Sequence, residues 1–238
     1  MKPDAFRRRD DGRRRFLRAT MSAAGLVLGG CGAAAAREAG GHPRDGDMLG
    51  EAEVTPGEDL MQEHGVLERI LLIYDEAARR LEHGAAVDLS VLTRSAGIVR
   101  RFVEEYHEHL EEQFVFPRLE AARREVDLVA VLRRQHQRGR EVTADVVRAA
   151  GDPGGAPRLA GLLRAFQRMY RPHAAREDTV LFPAFRGVVG GAAYRELGEQ
   201  FEEQEHARFG EHGFEGTVSE VAELEAALGI ADLASFTP

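Results

Sequence analysis

Four long stretches of this chain carry apolar residues at alternating steps of three and four. That is the period of one face of an α-helix, and no stretch shows the two-residue alternation of a half-buried strand or a hairpin signal. The first, about 56–83, places Leu60, His64, Leu67, Leu71, Tyr74, Ala78 and Leu81 on one stripe. Thr55-Pro56-Gly57-Glu58 starts it as a capping box with proline at the first helical position, and Gly84 ends it. The second runs from near Asp88 to about 122 with Leu92, Val99, Val103, His107, Leu110, Glu111 and Phe114. The third, about 125–150, carries Val129, Leu132, His136, Val146 and Ala150, and stops at Gly151-Asp152-Pro153-Gly154-Gly155. The fourth, about 157–187, carries Leu159, Leu162, Phe166, Met169, Tyr170, His173, Glu177 and Val180. The connections are short, so sequential helices should pack antiparallel. The expected fold is all-α: an up-down-up-down four-helix bundle over 55–187. A helical extension over 188–238, with helices at about 192–209 and 213–228, should pack on it, and the tail Ala231 to Pro238 is expected to dock.

Polar residues interrupt these apolar stripes in a repeated pattern. YHEHLEEQFVFP contains His107, Glu111, Glu112, Phe116 and Pro117; PHAAREDTVLFP contains His173, Glu177, Asp178, Phe182 and Pro183. Measured from the histidine, the offsets are four, five, nine and ten in both. Each segment follows a helix with one stripe histidine, His64 lying 43 residues before His107 and His136 lying 37 before His173. The chain therefore reads as two copies of one helical hairpin.

Residues four apart share a helix face, so each His-x-x-x-Glu aims two side chains at one point of the core. Two hairpins related by a pseudo-twofold axis bring together four histidines and two glutamates. Bare carboxylates there would be costly and would shift toward the neutral form. Bound cations remove that cost, and Glu111 and Glu177 are placed to bridge two of them. Imidazole with carboxylate suits iron, and also zinc or manganese. Metals bridged in this way lie roughly 3.5–4 Å apart, so the two carboxylates should come within about 8 Å of each other. Pro172, just before His173, is expected to kink the fourth helix.

The N-terminal segment has a different character. Residues 1–30 hold eight Lys/Arg against three Asp/Glu, and Arg13-Arg14-Arg15-Phe16-Leu17-Arg18 resembles a twin-arginine export signal. The mild apolar run Ala19 to Gly30 is too short to span a bilayer. It ends at Leu28-Gly29-Gly30-Cys31, which resembles a lipobox, with Cys31 as the lipid anchor. Residues 31–54 are Ala/Gly-rich and read as a tether. The expectation is export by the twin-arginine route and anchoring at the outer face of the cytoplasmic membrane or in the periplasm. Cys31 is the single cysteine, so the chain has no internal disulfide. The remainder carries 24 Lys/Arg against 37 Asp/Glu, which argues against nucleic acid as a partner.

Taken together, Glu63-His64, His107-x-x-x-Glu111 with Phe116-Pro117, Gln135-His136, and His173-x-x-x-Glu177-Asp178 with Phe182-Pro183 resemble the hemerythrin-like HHE cation-binding family. The resemblance covers about 58–187 and implies a four-helix bundle with a non-haem di-iron site. The ligands it implies are His64, His107, Glu111, His136, His173 and either Glu177 or Asp178. Oxygen-carrying hemerythrins have a second histidine four residues along the third helix; here His136 is followed by Arg140, which cannot ligate a metal. Glu108, or Glu202 with His206, are further candidates to supply the missing donor. The function implied is a binding protein for dioxygen or another small diatomic ligand, or one that senses or holds iron. The alternative is an oxidoreductase acting on nitric oxide, peroxide or ferrous iron. That would need a partner as electron donor, since the chain has no nucleotide motif.

Overall fold

The computed structural model describes residues 54–152 and 154–238. The expected signal segment, Cys31 and nearly all of the tether lie outside the described residues. Helix α1, Pro56–Glu82, begins as its sequence demands: the Glu58 N–H donates to Thr55 Oγ1 while the Glu58 carboxylate accepts from the Thr55 N–H. It ends at Gly84, whose φ of +67° is left-handed backbone that glycine adopts freely. Helix α2 spans 89–121 and starts with Asp88 capping the Ser90 N–H. Helix α3 is Val126–Ala150, α4 spans 156–189, α5 is Gly191–Phe209 and α6 is Gly213–Ala227. Among the described residues no strand forms, and no helix is long and apolar enough to cross a membrane.

α1 packs on α2 and α4, and α3 packs on the same two, which closes the square of a four-helix bundle. Most of the stripe residues predicted to face inward do so: Leu60, Leu67, Leu71, Tyr74, Leu92, Val99, Leu110, Val129, Leu132, Val146, Leu159 and Phe166 are buried, whereas Leu81, Phe114, Leu162, Met169 and Val180 are only partly buried at its edge. α5 and α6 form a further hairpin laid against α1 and α2. Its apolar contacts include Phe201 on Phe114, with ring centres 5.5 Å apart. Arginines of the bundle also clamp the acidic residues of α6: Arg69 binds Glu225 through two nitrogens at 2.9 and 2.6 Å, and Arg94 reaches Glu223 at 2.8 Å. The tail after α6 departs from expectation. Its one ordered feature is a short 3-10 turn, Leu233–Phe236, and Leu233 remains 81% and Phe236 50% exposed. Exposed to that extent, neither side chain is docked in the core.

One glycine of α3 is dictated by packing. A Cβ built on Gly139 would lie 1.9 Å from the hydroxyl oxygen of Tyr170, a fully buried side chain of α4. Helix propensity alone would favour alanine there by about 1 kcal/mol. The overlap outweighs it: Gly139→Ala should cost about 1–3 kcal/mol in urea denaturation. Gly161→Ala, at an exposed helical position with open space around it, should instead stabilise by up to about 1 kcal/mol. Equal behaviour of the two variants would show that the Gly139–Tyr170 contact does not constrain the bundle.

Candidate metal centre

Four histidines, one from each bundle helix, meet in the core: His64 on α1, His107 on α2, His136 on α3 and His173 on α4, each at most 4% exposed. Every Nδ1 faces an oxygen acceptor on its outer side. His64 Nδ1 is 2.7 Å from Asp178 Oδ1, and His107 Nδ1 is 2.8 Å from Glu63 Oε2. His136 Nδ1 is 3.0 Å from Glu112 Oε1, and His173 Nδ1 is 2.9 Å from Gln135 Oε1. In a neutral ring the proton therefore sits on Nδ1, and the lone pair of Nε2 points inward.

Inside this ring of nitrogens lie the carboxylates of Glu111 and Glu177, both fully buried. Glu177 Oε2 is 3.0 Å from His173 Nε2 and 3.3 Å from His64 Nε2. Glu111 Oε2 is 3.4 Å from His136 Nε2 and 3.7 Å from His107 Nε2. Ligand atoms of His64, His107, Glu111 and Glu177 all lie within 4.8 Å of one another, and so do those of His136, His173 and Glu177. The two carboxylates thus meet well inside the expected 8 Å. All four of their oxygens, with the Nε2 atoms of His107 and His136, are buried without a hydrogen-bond partner. Lone pairs facing carboxylate oxygens repel, so this donor set calls for cations between them.

Protons partly meet that demand. Burial, and then the charge of Glu177, push Glu111 well above the usual carboxylate range; burial opposes the charge on Glu177 too, but His173 and His64 hold it well below that range. Burial also opposes a charge on His64, yet Asp178 and Glu177 outweigh it and raise the ring to about 9. Burial dominates at His136 and depresses it to about 4.

Backbone geometry at the two glutamates is the same. The Phe116 N–H bonds back five residues to the Glu111 carbonyl, and the Phe182 N–H does so to that of Glu177. Each widened turn precedes a proline, Pro117 or Pro183, which has no N–H and whose ring would strike the carbonyl four residues back. Widening the turn avoids that clash. It also seats each phenylalanine on a histidine of the other hairpin, Phe116 on His136 at 5.4 Å and Phe182 on His64 at 5.6 Å, both near parallel. The helix runs on past Pro172, which donates no hydrogen bond of its own, and the departure from α geometry comes at Glu177–Leu181.

Around His136 lies a cluster without a counterpart on the other half. Arg140 Nη2 is 2.8 Å from both Glu108 Oε2 and Glu112 Oε1, and the Tyr170 hydroxyl donates to Glu108 Oε1 at 2.7 Å. Burial drives Glu108 well above the usual carboxylate range. Burial also penalises Glu112, but His136 and Arg140 overcome this and bring it to about 2.

The candidates from sequence sort as follows. His64, His107, Glu111, His136, His173 and Glu177 converge on one buried point. Asp178 does not reach it; it stands one residue past Glu177 and binds the outer nitrogen of His64. Glu108 faces Arg140 and Tyr170, and it comes within 4.8 Å of Glu112 and His136 rather than joining the inner carboxylates. Glu202 and His206 are outside the cluster, because α5 packs beside the bundle and buries Phe201 and Glu205 instead, leaving both part-exposed on its flank. Sequence reasoning missed the outer partners Glu63, Glu112 and Gln135. Their signal was available: they recur one residue before the first histidine and five after the second in each hairpin.

Comparison with known proteins agrees with this geometry. The hemerythrin HHE cation binding domain matches residues 55–185, and a second match covers 127–228. Uncharacterised proteins of Mycobacterium bovis and of two strains of Mycobacterium tuberculosis are each 48% identical over 233 residues, covering 95% of this chain and 91% of theirs. No solved structure matches significantly. The second match runs through α5, where Glu205-His206 repeats the Glu63-His64 pair. There Glu205 has a different role, accepting the Phe214 N–H at 2.7 Å at the start of α6.

The raised groups determine how metal-free protein responds to pH. His64 keeps, up to about 9, a proton that the unfolded chain releases near 6.5. Its contribution is therefore complete below pH 6.5 and is lost as pH rises through 9; raised Glu111 acts in the same direction. Stripped of metal, the protein should lose on the order of 3 kcal/mol between these limits. With a divalent ion in place of those protons the loss should vanish. Thermal melts of stripped and loaded protein across this range check it; parallel pH profiles would refute it.

Proposed function

The chain belongs to the hemerythrin HHE cation-binding family, and on that premise we propose that it holds two iron ions, with Glu111 and Glu177 bridging them. His64 with His107 and His136 with His173 supply the remaining ligands. Zinc or manganese suits the same donors less specifically. One observation carries this reading: the four oxygens of two fully buried carboxylates, none with a geometrically formed hydrogen bond, face inward-directed imidazole nitrogens. When bound, such a pair of irons supplies reversible binding of dioxygen or another small diatomic ligand. The protein's own residues do the rest. Asp178, Glu63, Glu112 and Gln135 lock the ring orientations. Phe116 and Phe182 cover two of the histidines and keep water away. We therefore read the protein as a binder of a diatomic ligand, or a holder of iron.

A second reading, an oxidoreductase acting on nitric oxide, peroxide or ferrous iron, draws on the Tyr170–Glu108 pair beside His136. Hydroxyl and carboxyl groups so placed can pass a proton toward a reacting molecule.

Metal analysis of the full chain, with optical spectra taken in air and without it, tests the first reading. The expected result is about two irons per chain and bands that come and go reversibly with oxygen. His107→Ala and His173→Ala should lose metal while keeping helical circular dichroism. Protein grown with ample iron yet free of transition metal would refute it. Turnover of peroxide or nitric oxide that disappears in His107→Ala would favour the enzyme.

The N-terminal motifs belong to the same proposal. Twin-arginine export moves folded protein, which suits a metal inserted before transport, and Cys31 is the residue to carry lipid. Mass spectrometry of the membrane fraction should find a mature chain starting at a lipidated Cys31. A soluble mature chain with a free thiol at that position would contradict this.

A further inference from the structure

The two halves of the centre share inner donors but differ in what stands behind them. On the His64–His107 half both Nδ1–H groups point at carboxylates, Asp178 at 2.7 Å and Glu63 at 2.8 Å. On the His136–His173 half one points at Glu112 at 3.0 Å and the other at the amide oxygen of Gln135 at 2.9 Å. Glu112 is also bound by the Arg140 guanidinium at 2.8 Å. One half thus has two carboxylate outer partners. The other has a neutral amide and a carboxylate shared with an arginine.

These differences bear on cation affinity. A carboxylate accepting from Nδ1–H makes Nε2 a stronger donor than an amide oxygen does, and losing such a partner typically changes metal affinity by about tenfold to a hundredfold. Arg140 acts in the same direction, because by pairing with Glu112 it weakens the pull of that carboxylate on a cation beside His136.

We propose that the two cation positions are unequal by construction: the His64–His107 position fills first and holds its ion more tightly, and the His136–His173 position, backed by Gln135 and Arg140, is weaker and exchangeable. This rests on reading the centre as a two-metal site. Its consequence is regulatory. The first ion is retained at low supply, and the second comes and goes with the concentration of metal. Whatever activity needs both ions is then switched by metal availability, and the residues setting the threshold are Gln135 and Arg140 rather than the ligands themselves.

Titrating the metal-free full chain with cobalt(II), followed by heat and by visible absorption, tests the inference. Wild type should show two steps separated by about tenfold or more in affinity. Gln135→Glu should strengthen the weaker step about tenfold and leave the tighter one in place; Arg140→Met should move the weaker step the same way. Glu63→Gln should weaken the tighter step. Gln135→Glu and Glu63→Gln exchange only oxygen and nitrogen, so the packing is kept; if Glu63→Gln does not fold, Gln135→Glu alone decides. A single equivalent in wild type with a second gained in Gln135→Glu also supports the proposal. Two equal steps, a single equivalent in both, or a shift of the tighter step in Gln135→Glu overturns it while leaving the centre a metal site. No cobalt bound at all would instead overturn the two-metal reading on which it rests.

Discussion

Two carboxylates at the centre of an apolar bundle set the terms for the rest of this protein. Glu111 and Glu177 have no exposure to water, and burying an uncompensated carboxylate costs far more than any single packing contact returns. The surrounding structure answers that cost in layers. Four imidazole nitrogens converge on the oxygens, outer acceptors hold those rings in one orientation, and protons on Glu111 and His64 offset charge that metal ions are suited to offset better. The long helices with their apolar stripes are what hold six side chains from four separate segments at one point.

Repetition explains how one chain builds such a centre. Each hairpin supplies a histidine, a His-x-x-x-Glu pair and a Phe-Pro step. The proline widens the turn that follows the glutamate, and the phenylalanine then stacks on the opposite hairpin's histidine. The outer acceptors Glu112 and Asp178 also cross between hairpins, whereas Glu63 and Gln135 stay within their own. Each hairpin therefore completes the other's histidines, and neither half of the centre exists without the docked pair.

The symmetry between the two hairpins stops at Arg140. Arg140 stands where an oxygen-carrying hemerythrin has a histidine, and the structure gives it Glu108 and Glu112 as partners. Gly139, one residue earlier, leaves the space that Tyr170 fills on its way to Glu108. Position 108 in the other hairpin is Ala174, so this polar cluster serves one half alone. The departure from the oxygen-carrier pattern is thus a built feature with its own packing.

Sequence alone determined the helices, their order and the inner ligand candidates. These depend on local rules: the 3.6-residue period puts residues four apart on one face, and glycine, proline and capping residues mark the ends. The repeat added the pairing of the two hairpins. Tertiary structure decided which of several acids turns inward. Glu177 and Asp178 are neighbours in sequence, about 100° apart around the helix, and only the docked position of α1 sends one to the centre and the other to the back of His64. It likewise leaves Glu202 and His206 outside the cluster, although their spacing is as good as that of His107 and Glu111, because α5 lies beside the bundle. Spacing reports which residues share a face; which face meets which neighbour is settled by packing.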